Sequence, residues 1–249
     1  MKTNRPYCLS IAGYDPTAGA GVLADIKTFE MHQTNGMAII SANTLQTDDC
    51  FISVNWQELT EMKKHVELLL AHYDIKVLKI GLIQSAKILC QMISHIKDLK
   101  PDMPIVWDPI LSSSSGFYFD IPQQDDLKYL EAHCTLITPN WTEFQRLWGN
   151  DLDVLKQRGI NTSILIKGGH REAKVGCDLL FVNGDFVEIE GVSFRGKSKH
   201  GTGCVLSAAI TACLAKGESL LESCIYAKRY VEKFIVSNDS NLGYHYEKK

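Results

Sequence analysis

The sequence has no C-x-x-C pair, no marked excess of charge of one sign, and no apolar run near the length of a membrane span. Each absence excludes a class. The eight cysteines are scattered, at 8, 50, 90, 134, 177, 204, 213 and 224. A secreted disulfide framework is denser and its chain shorter, so reduced thiols in a cytoplasmic protein are expected. Lys and Arg number 26 against 29 Asp and Glu, a formal net charge of -3, which offers no basic surface to nucleic acid or an anionic membrane. A membrane helix needs roughly 18–20 apolar residues, and the run ahead of Gly13 is also too short for a signal peptide. Internal repeats, low-complexity tracts and linkers are missing too. One domain over residues 1–249 is therefore expected, with a polar tail over 237–249. What is present is ordinary: 45% hydrophobic and 22% charged residues, enough at this length to bury a core without metals or disulfides.

Short β-rich runs alternate with helical stretches. Residues 7–12, 37–42, 75–80, 105–107, 136–138 and 163–167 read as strands, most of them apolar on both faces, as in a parallel sheet covered on both sides. Between them Val22, Ile26 and Phe29 recur at helical spacing, as do Leu59, Met62, Val66 and Leu69, and then Leu89, Met92, Ile93 and Ile96. The alternation predicts an α/β domain with a mainly parallel central sheet and helices on both faces. Residues 179–182 and 186–189 flank Asn183-Gly184, a hairpin signal that places an antiparallel pair at the sheet edge. Two helices close the chain, one from Gly203 to Lys216 with Gly217 as its stop, the next over 219–236.

The motifs that carry chemistry fall where strands end. A small-residue loop, Gly13-Tyr-Asp-Pro-Thr-Ala-Gly-Ala-Gly21, links the first strand to the first helix, where open α/β sheets bind ligands. Its Gly19-x-Gly21-x-x-Ala24 fits a dinucleotide fingerprint only loosely, because Gly19 does not directly follow the strand. Gly191-x-x-x-x-Gly196-Lys197-Ser198 matches the P-loop pattern in letters, but the helical pattern starts only after Gly203, too late to aim helix amides at a phosphate. Lys197 and Lys199 remain candidate cations near an anion.

His200-Gly201-Thr202-Gly203-Cys204 precedes a long apolar helix. Its two glycines permit tight backbone curvature, and unpaired amides plus the helix dipole form an anion hole for a phosphoryl group. The same field is expected to lower the pKa of Cys204. Asn140 and Glu143 can share one helix face as oxygen ligands for Mg²⁺, or form a capping box. Asp108 ends another strand. Lys167-Gly168-Gly169-His170 adds a cation after the next.

On these residues the chain resembles the hydroxymethylpyrimidine/phosphomethylpyrimidine kinases, members of the ribokinase-like superfamily. The resemblance covers residues 8–227, through SIAGYDPTAGAGVLADIKTF, ISANTLQT, KIGLI, DPILSSSSG, LITPNWTEF, LIKGGH and HGTGCVLSAAI. It implies a ribokinase-like three-layer sandwich, ATP and Mg²⁺ as cofactors, and phosphorylation of an aminopyrimidine hydroxymethyl group in thiamine biosynthesis. It also implies Gly13, Asp25 and Gln46 in the pyrimidine pocket, and Gly201, Gly203 and Cys204 at the anion hole and catalytic position. The resemblance further implies Asp108 and Glu143 at the metal, directly or through water, and Asn140, Lys167 and Thr202 at the nucleotide. A homodimer is expected. Two departures stand out: Ser114 replaces a family lysine, and Lys199 replaces a threonine. A phosphate monoester needs charge-assisted donors, so the first phosphorylation is better supported than the second unless Lys197 or Lys199 substitutes. Three other readings stay open: a kinase of a related alcohol such as pyridoxine, a thiol enzyme pairing Cys204 with His200 as base, and a non-catalytic sensor.

Overall fold

The computed structural model describes residues 5–112, 116, 118–160, 162–168, 176–194 and 199–245. Its centre is a sheet of nine strands in the order β3-β2-β1-β4-β5-β6-β7-β8-β9. The parallel core comprises β1 (Tyr7–Tyr14), β2 (Asn35–Gln46), β4 (Ile75–Ile80), β5 (Ile105–Trp107), β6 (Leu136–Ile137) and β7 (Ser163–Ile166). Antiparallel strands close both edges: β3 (Phe51–Trp56) against β2, and the hairpin of β8 (Asp178–Val182) with β9 (Asp185–Ile189) against β7. In that hairpin Asn183 and Gly184 have φ of 53° and 81°, the left-handed pair a type I′ turn requires. The sequence reading places only this edge; it stops β2 at Ala42 and misses β3, whose alternation of half-buried and exposed residues carries a weaker signal.

Strand periodicity sorts the core into two layers. Leu78, Ile105, Trp107, Ile137, Ile164 and Ile166 face α2 (Leu59–His72), α3 (Ala86–Leu99), α4 (Gln124–His133) and α5 (Trp141–Trp148). Their neighbours Val77, Val106, Leu136 and Leu165 face α7 (Thr202–Ala215) and α8 (Leu220–Ile235). Helix α1 (Gly21–Met31) packs on α7 through Phe29, Ala208 and Ala212. Every residue of α7 from Cys204 to Cys213 is buried, which explains a helix apolar all round. Gly217, at φ +89°, ends it as expected. A short helix, α6 (Asp153–Gln157), completes the set among the described residues. Helices α4 and α6 escape the sequence reading because their apolar stripes are short, and α5 is read only as a helix start at Asn140–Glu143. Among the described residues no helix is long and apolar enough to cross a membrane.

The polar segment after α8 does not hang free. Lys199 Nζ donates to Asn238 O at 2.7 Å, to Asn238 Oδ1 at 3.0 Å and to Ser240 O. His200 N–H donates to Asn241 O at 2.9 Å. Gly243 lies against the ring of Phe234, and His245 Nδ1 is 3.0 Å from the hydroxyl of Tyr230. Composition alone reads this stretch as a solvated tail; backbone carbonyls, which composition does not show, hold it in place.

Candidate active site

One cavity of about 590 Å³ opens at the carboxyl ends of the strands, where the chain leaves β1 for β2 on one side and β4 lies on the other. Gly13 comes to it from β1, Gln46 from β2, Asp108 from the end of β5, Asn140 and Glu143 from the start of α5, and Lys167 from the end of β7. Residues 201–204 enter from the start of α7. Among the described residues, all the sequence-derived candidates therefore converge there except Asp25.

Asp25 is a correction. It is fully buried and does not line the cavity. Its Oδ1 pairs with Lys79 Nζ at 2.5 Å and its Oδ2 accepts from Ser10 at 2.6 Å. Lys79 is itself fully buried and also approaches Cys204 O at 3.5 Å. Burial opposes its ammonium, but Asp25 chiefly, with Cys204 and Asp108, holds its pKa above the ordinary value. The pair is a strut beneath α7. A lysine inside the apolar run IKVLKI is the sequence signal that would have found it, since a buried cation needs an anion.

The amide cradle is built by two glycines. Gly201 adopts φ +77°, and a Cβ there would collide with the carbonyl of Gly19. Gly21, at φ +60°, lies against the carbonyl of Gly13 in the same way. Only glycine permits either contact. Gly201 caps α7, and no side chain bonds the opening amides, which leaves them for a ligand.

Cys204 corrects a second expectation. Its thiol is pushed up to about 11, because burial outweighs the Lys79 ammonium and both Asp108 and Asp25 add negative charge. It carries its proton at neutral pH. Nor does His200 face it: His200 Nε2 lies 2.8 Å from Asp15 Oδ2. No thiolate–imidazole pair forms, which removes the geometry a thiol enzyme needs.

Lys167 Nζ lies 2.9 Å from Asp108 Oδ1 and 3.7 Å from Glu143 Oε2. A Cβ on Gly203 would sit 3.2 Å from the same ammonium, so the cation borders the cradle. Burial alone would raise the Asp108 carboxyl, yet Lys167 and Lys79 hold it below the usual range. Glu143 is raised, burial outweighing Lys167. Asn140 and Glu143 do form the reciprocal capping box, at 2.6 and 2.9 Å. That box uses Asn140 Oδ1 and Glu143 Oε2, leaving Glu143 Oε1 unbonded among the described residues. The side-chain amide of half-buried Gln46 makes no hydrogen bond among those residues either. At the mouth, the ring of Phe119 meets Phe51 edge-on at 5.6 Å and Trp56 at 6.3 Å. No sequence motif marks these aromatics, because residues 51–56 and 119 meet only in the fold.

Lys199, a candidate anion partner above, has its ammonium engaged by the three oxygens of residues 238–240. Lys197, Ser114, Gly169 and His170 lie outside the described residues, as does much of the P-loop-like stretch. Helix α7 opens at Thr202, not at Lys197-Ser198.

Residues 15–248 match the family described as phosphomethylpyrimidine kinase. A hydroxymethylpyrimidine/phosphomethylpyrimidine kinase of Aquifex aeolicus is 31% identical, covering 96% of this chain and 97% of its own. A kinase of the same name from Staphylococcus aureus strain Mu50 is 34% identical over 91% and 87%. The crystal structure of a phosphomethylpyrimidine kinase from Clostridium difficile 630 superposes with TM-score 0.77 at 29% identity, over 92% of this chain and 99% of that one. A Staphylococcus aureus pyridoxal kinase in complex with AMP-PCP superposes with TM-score 0.78 at 25% identity, over 93% and 88%.

Proposed function

From the premise that this chain belongs to the phosphomethylpyrimidine kinase family, we propose that it uses ATP to phosphorylate the hydroxymethyl group of 4-amino-5-hydroxymethyl-2-methylpyrimidine, as a step of thiamine biosynthesis. The family makes it an ATP-dependent kinase; the substrate and the residue roles are our reading. One observation carries them: an unpartnered Gln46 amide and an uncapped row of amides at 201–204 line the same cavity. An aminopyrimidine presents an amine donor beside a ring-nitrogen acceptor, which a Gln amide meets with its own acceptor and donor. The cradle receives the transferred phosphoryl group, with Gly13 beside the alcohol and Lys167, Asn140 and Thr202 on the nucleotide side.

Phosphoryl transfer demands positioning and charge neutralisation above all. The alcohol oxygen bonds to the γ-phosphorus as the bond to the β-γ bridging oxygen breaks, and charge grows on oxygens facing the amides of 201–204. Because the Cys204 thiol keeps its proton, its role is a relay. It passes that proton to a phosphoryl oxygen as it takes the alcohol proton late in the transfer. The donor set fits Mg²⁺, which binds through one or two carboxylates, substrate phosphates and water: Asp108 and Glu143 face one cavity, and Oε1 of Glu143 is open. Bound there, the ion would neutralise phosphate charge. Lys167 bridges the two carboxylates and holds them in place.

A coupled ADP-release assay with the aminopyrimidine alcohol, its monophosphate and pyridoxine tests the reading. Fastest turnover is expected with the aminopyrimidine alcohol. Preference for pyridoxine would transfer the activity to a pyridoxal-kinase-like substrate, and tight binding without turnover would make the protein a sensor. The homodimer reading is supported by exposed Leu45 and Ile52 on the β2–β3 edge and is checked by light scattering.

A further inference from the structure

The β1–α1 loop and the amide cradle meet through a side chain to which no role has been given above. His200 is 11 % exposed, and its Nε2 lies 2.8 Å from Asp15 Oδ2. Asp15 is itself immobilised. Its Oδ1 accepts from Thr17 N–H at 2.9 Å, its Oδ2 from Ala20 N–H at 2.9 Å, and the Thr17 hydroxyl is 2.9 Å from both oxygens. Burial would raise this carboxyl, but the bonds from His200 and Thr17 bring it down to about 2. An ionised carboxylate only accepts, so Nε2 is the donor. The main chain of His200 is held as well, by its N–H to Asn241 O at 2.9 Å. The following residue, Gly201, turns through φ +77° against Gly19.

We propose that His200 is a positioning residue for phosphoryl transfer: pinned to Asp15 by its ring and to Asn241 by its amide, it fixes the backbone from which the 201–204 cradle is built. An amide cradle lowers a barrier only if its donors are already aimed where charge will grow. Two glycines in the stretch from Gly201 to Gly203 leave the start of α7 with little side-chain restraint of its own, since glycine has the most conformational freedom to lose. The imidazole supplies what the glycines lack, a rigid link to a loop that also borders the alcohol pocket through Gly13. Cradle and pocket thereby take shape as one unit. The inference rests on the reading of 201–204 as the phosphoryl cradle, so the test separates the two.

The experiment compares His200→Phe, His200→Gln and Gly203→Ala, reading kcat and KM for ATP with the aminopyrimidine alcohol, AMP-PCP affinity by calorimetry, and the melting midpoint. His200→Phe keeps a ring without a donor; kcat is expected to fall about 10–100-fold and AMP-PCP to bind several-fold more weakly, at temperatures where the variant is folded. His200→Gln restores a donor that reaches Asp15 and is expected to recover most of kcat. Gly203→Ala, whose methyl crowds Lys167, is expected to abolish turnover. If Gly203→Ala fails and His200→Phe turns over normally, merely melting earlier, the positioning role is overturned while the cradle stands. If Gly203→Ala turns over normally, the cradle reading itself falls. Should His200→Phe not fold, His200→Ala takes its place: a kcat at least about tenfold below that of His200→Gln supports the role, and any smaller difference between the two overturns it.

Discussion

Single side chains at the cavity differ in how well the sequence announces them. Gln46 is legible, and Gln46→Leu is expected to weaken use of the aminopyrimidine by about 1–3 kcal/mol, the cost of leaving buried polar groups unpaired. ATP affinity should hardly move; unchanged steady-state constants for the alcohol would remove Gln46 from the pocket. Glu143 has two duties in one residue, cap and cavity carboxylate. Glu143→Gln is expected to raise the Mg²⁺ concentration for half-maximal rate, and a lower melting midpoint with unchanged Mg²⁺ dependence would leave only the cap. For Cys204, replacement by Ala should cost far more turnover than replacement by Ser, since a hydroxyl can still relay a proton. Equal rates for wild type and Cys204→Ala would reduce the thiol to packing. The helix-start pattern suggests an acidic thiol, but burial and two carboxylates distant in sequence, Asp25 of α1 and Asp108 at the end of β5, reverse the sign, and no local pattern encodes them. Asp15 gives a pH test. Its pKa is depressed, so its stabilisation is complete above the unfolded value near 4 and is lost as pH falls through about 2. That amounts to about 2 kcal/mol. Denaturant unfolding of Asp15→Asn between pH 4 and 2 should show a shallower loss of stability than wild type.

At the level of elements, the apolar pattern worked where an element is long and buried, as in β1, β4 and α7, or clearly one-faced, as in α3. It failed where tertiary contacts define the element. Helix α5 is short and takes its position from the Asn140–Glu143 box. The segment after α8 is mostly polar, yet Lys199 and the amide of His200 hold it against the site. Lys199→Met is therefore expected to unseat residues 238–242, lowering ATP turnover while helix content by circular dichroism is retained. Unchanged protection of the 238–242 amides from hydrogen exchange in that variant would show that the clamp does not hold the segment.

Across the whole molecule, α7 lies between the sheet, α1 and α8, and its start forms the site. Core and site therefore share a helix, and heating should give one cooperative transition by calorimetry, with a midpoint that rises when ATP is added. Two separated transitions would show independently folding units. The mainly parallel sheet, its two helical layers and the hairpin edge were legible because buried strands and helices announce themselves locally, whereas the order of the strands was not. The site was legible only as a set of strand ends, since no local signal tells which of them are joined. Asp15 and His200, joined by one hydrogen bond, stand 185 positions apart in the chain. At a synthesis rate of about 5–20 residues per second, the ribosome makes His200 on the order of 10 to 40 s after Asp15, and Asn241 later still. During translation the nascent protein thus holds the β1–α1 loop long before its partner histidine exists, and the cavity cannot close into its final form until residues 200–241 have been made.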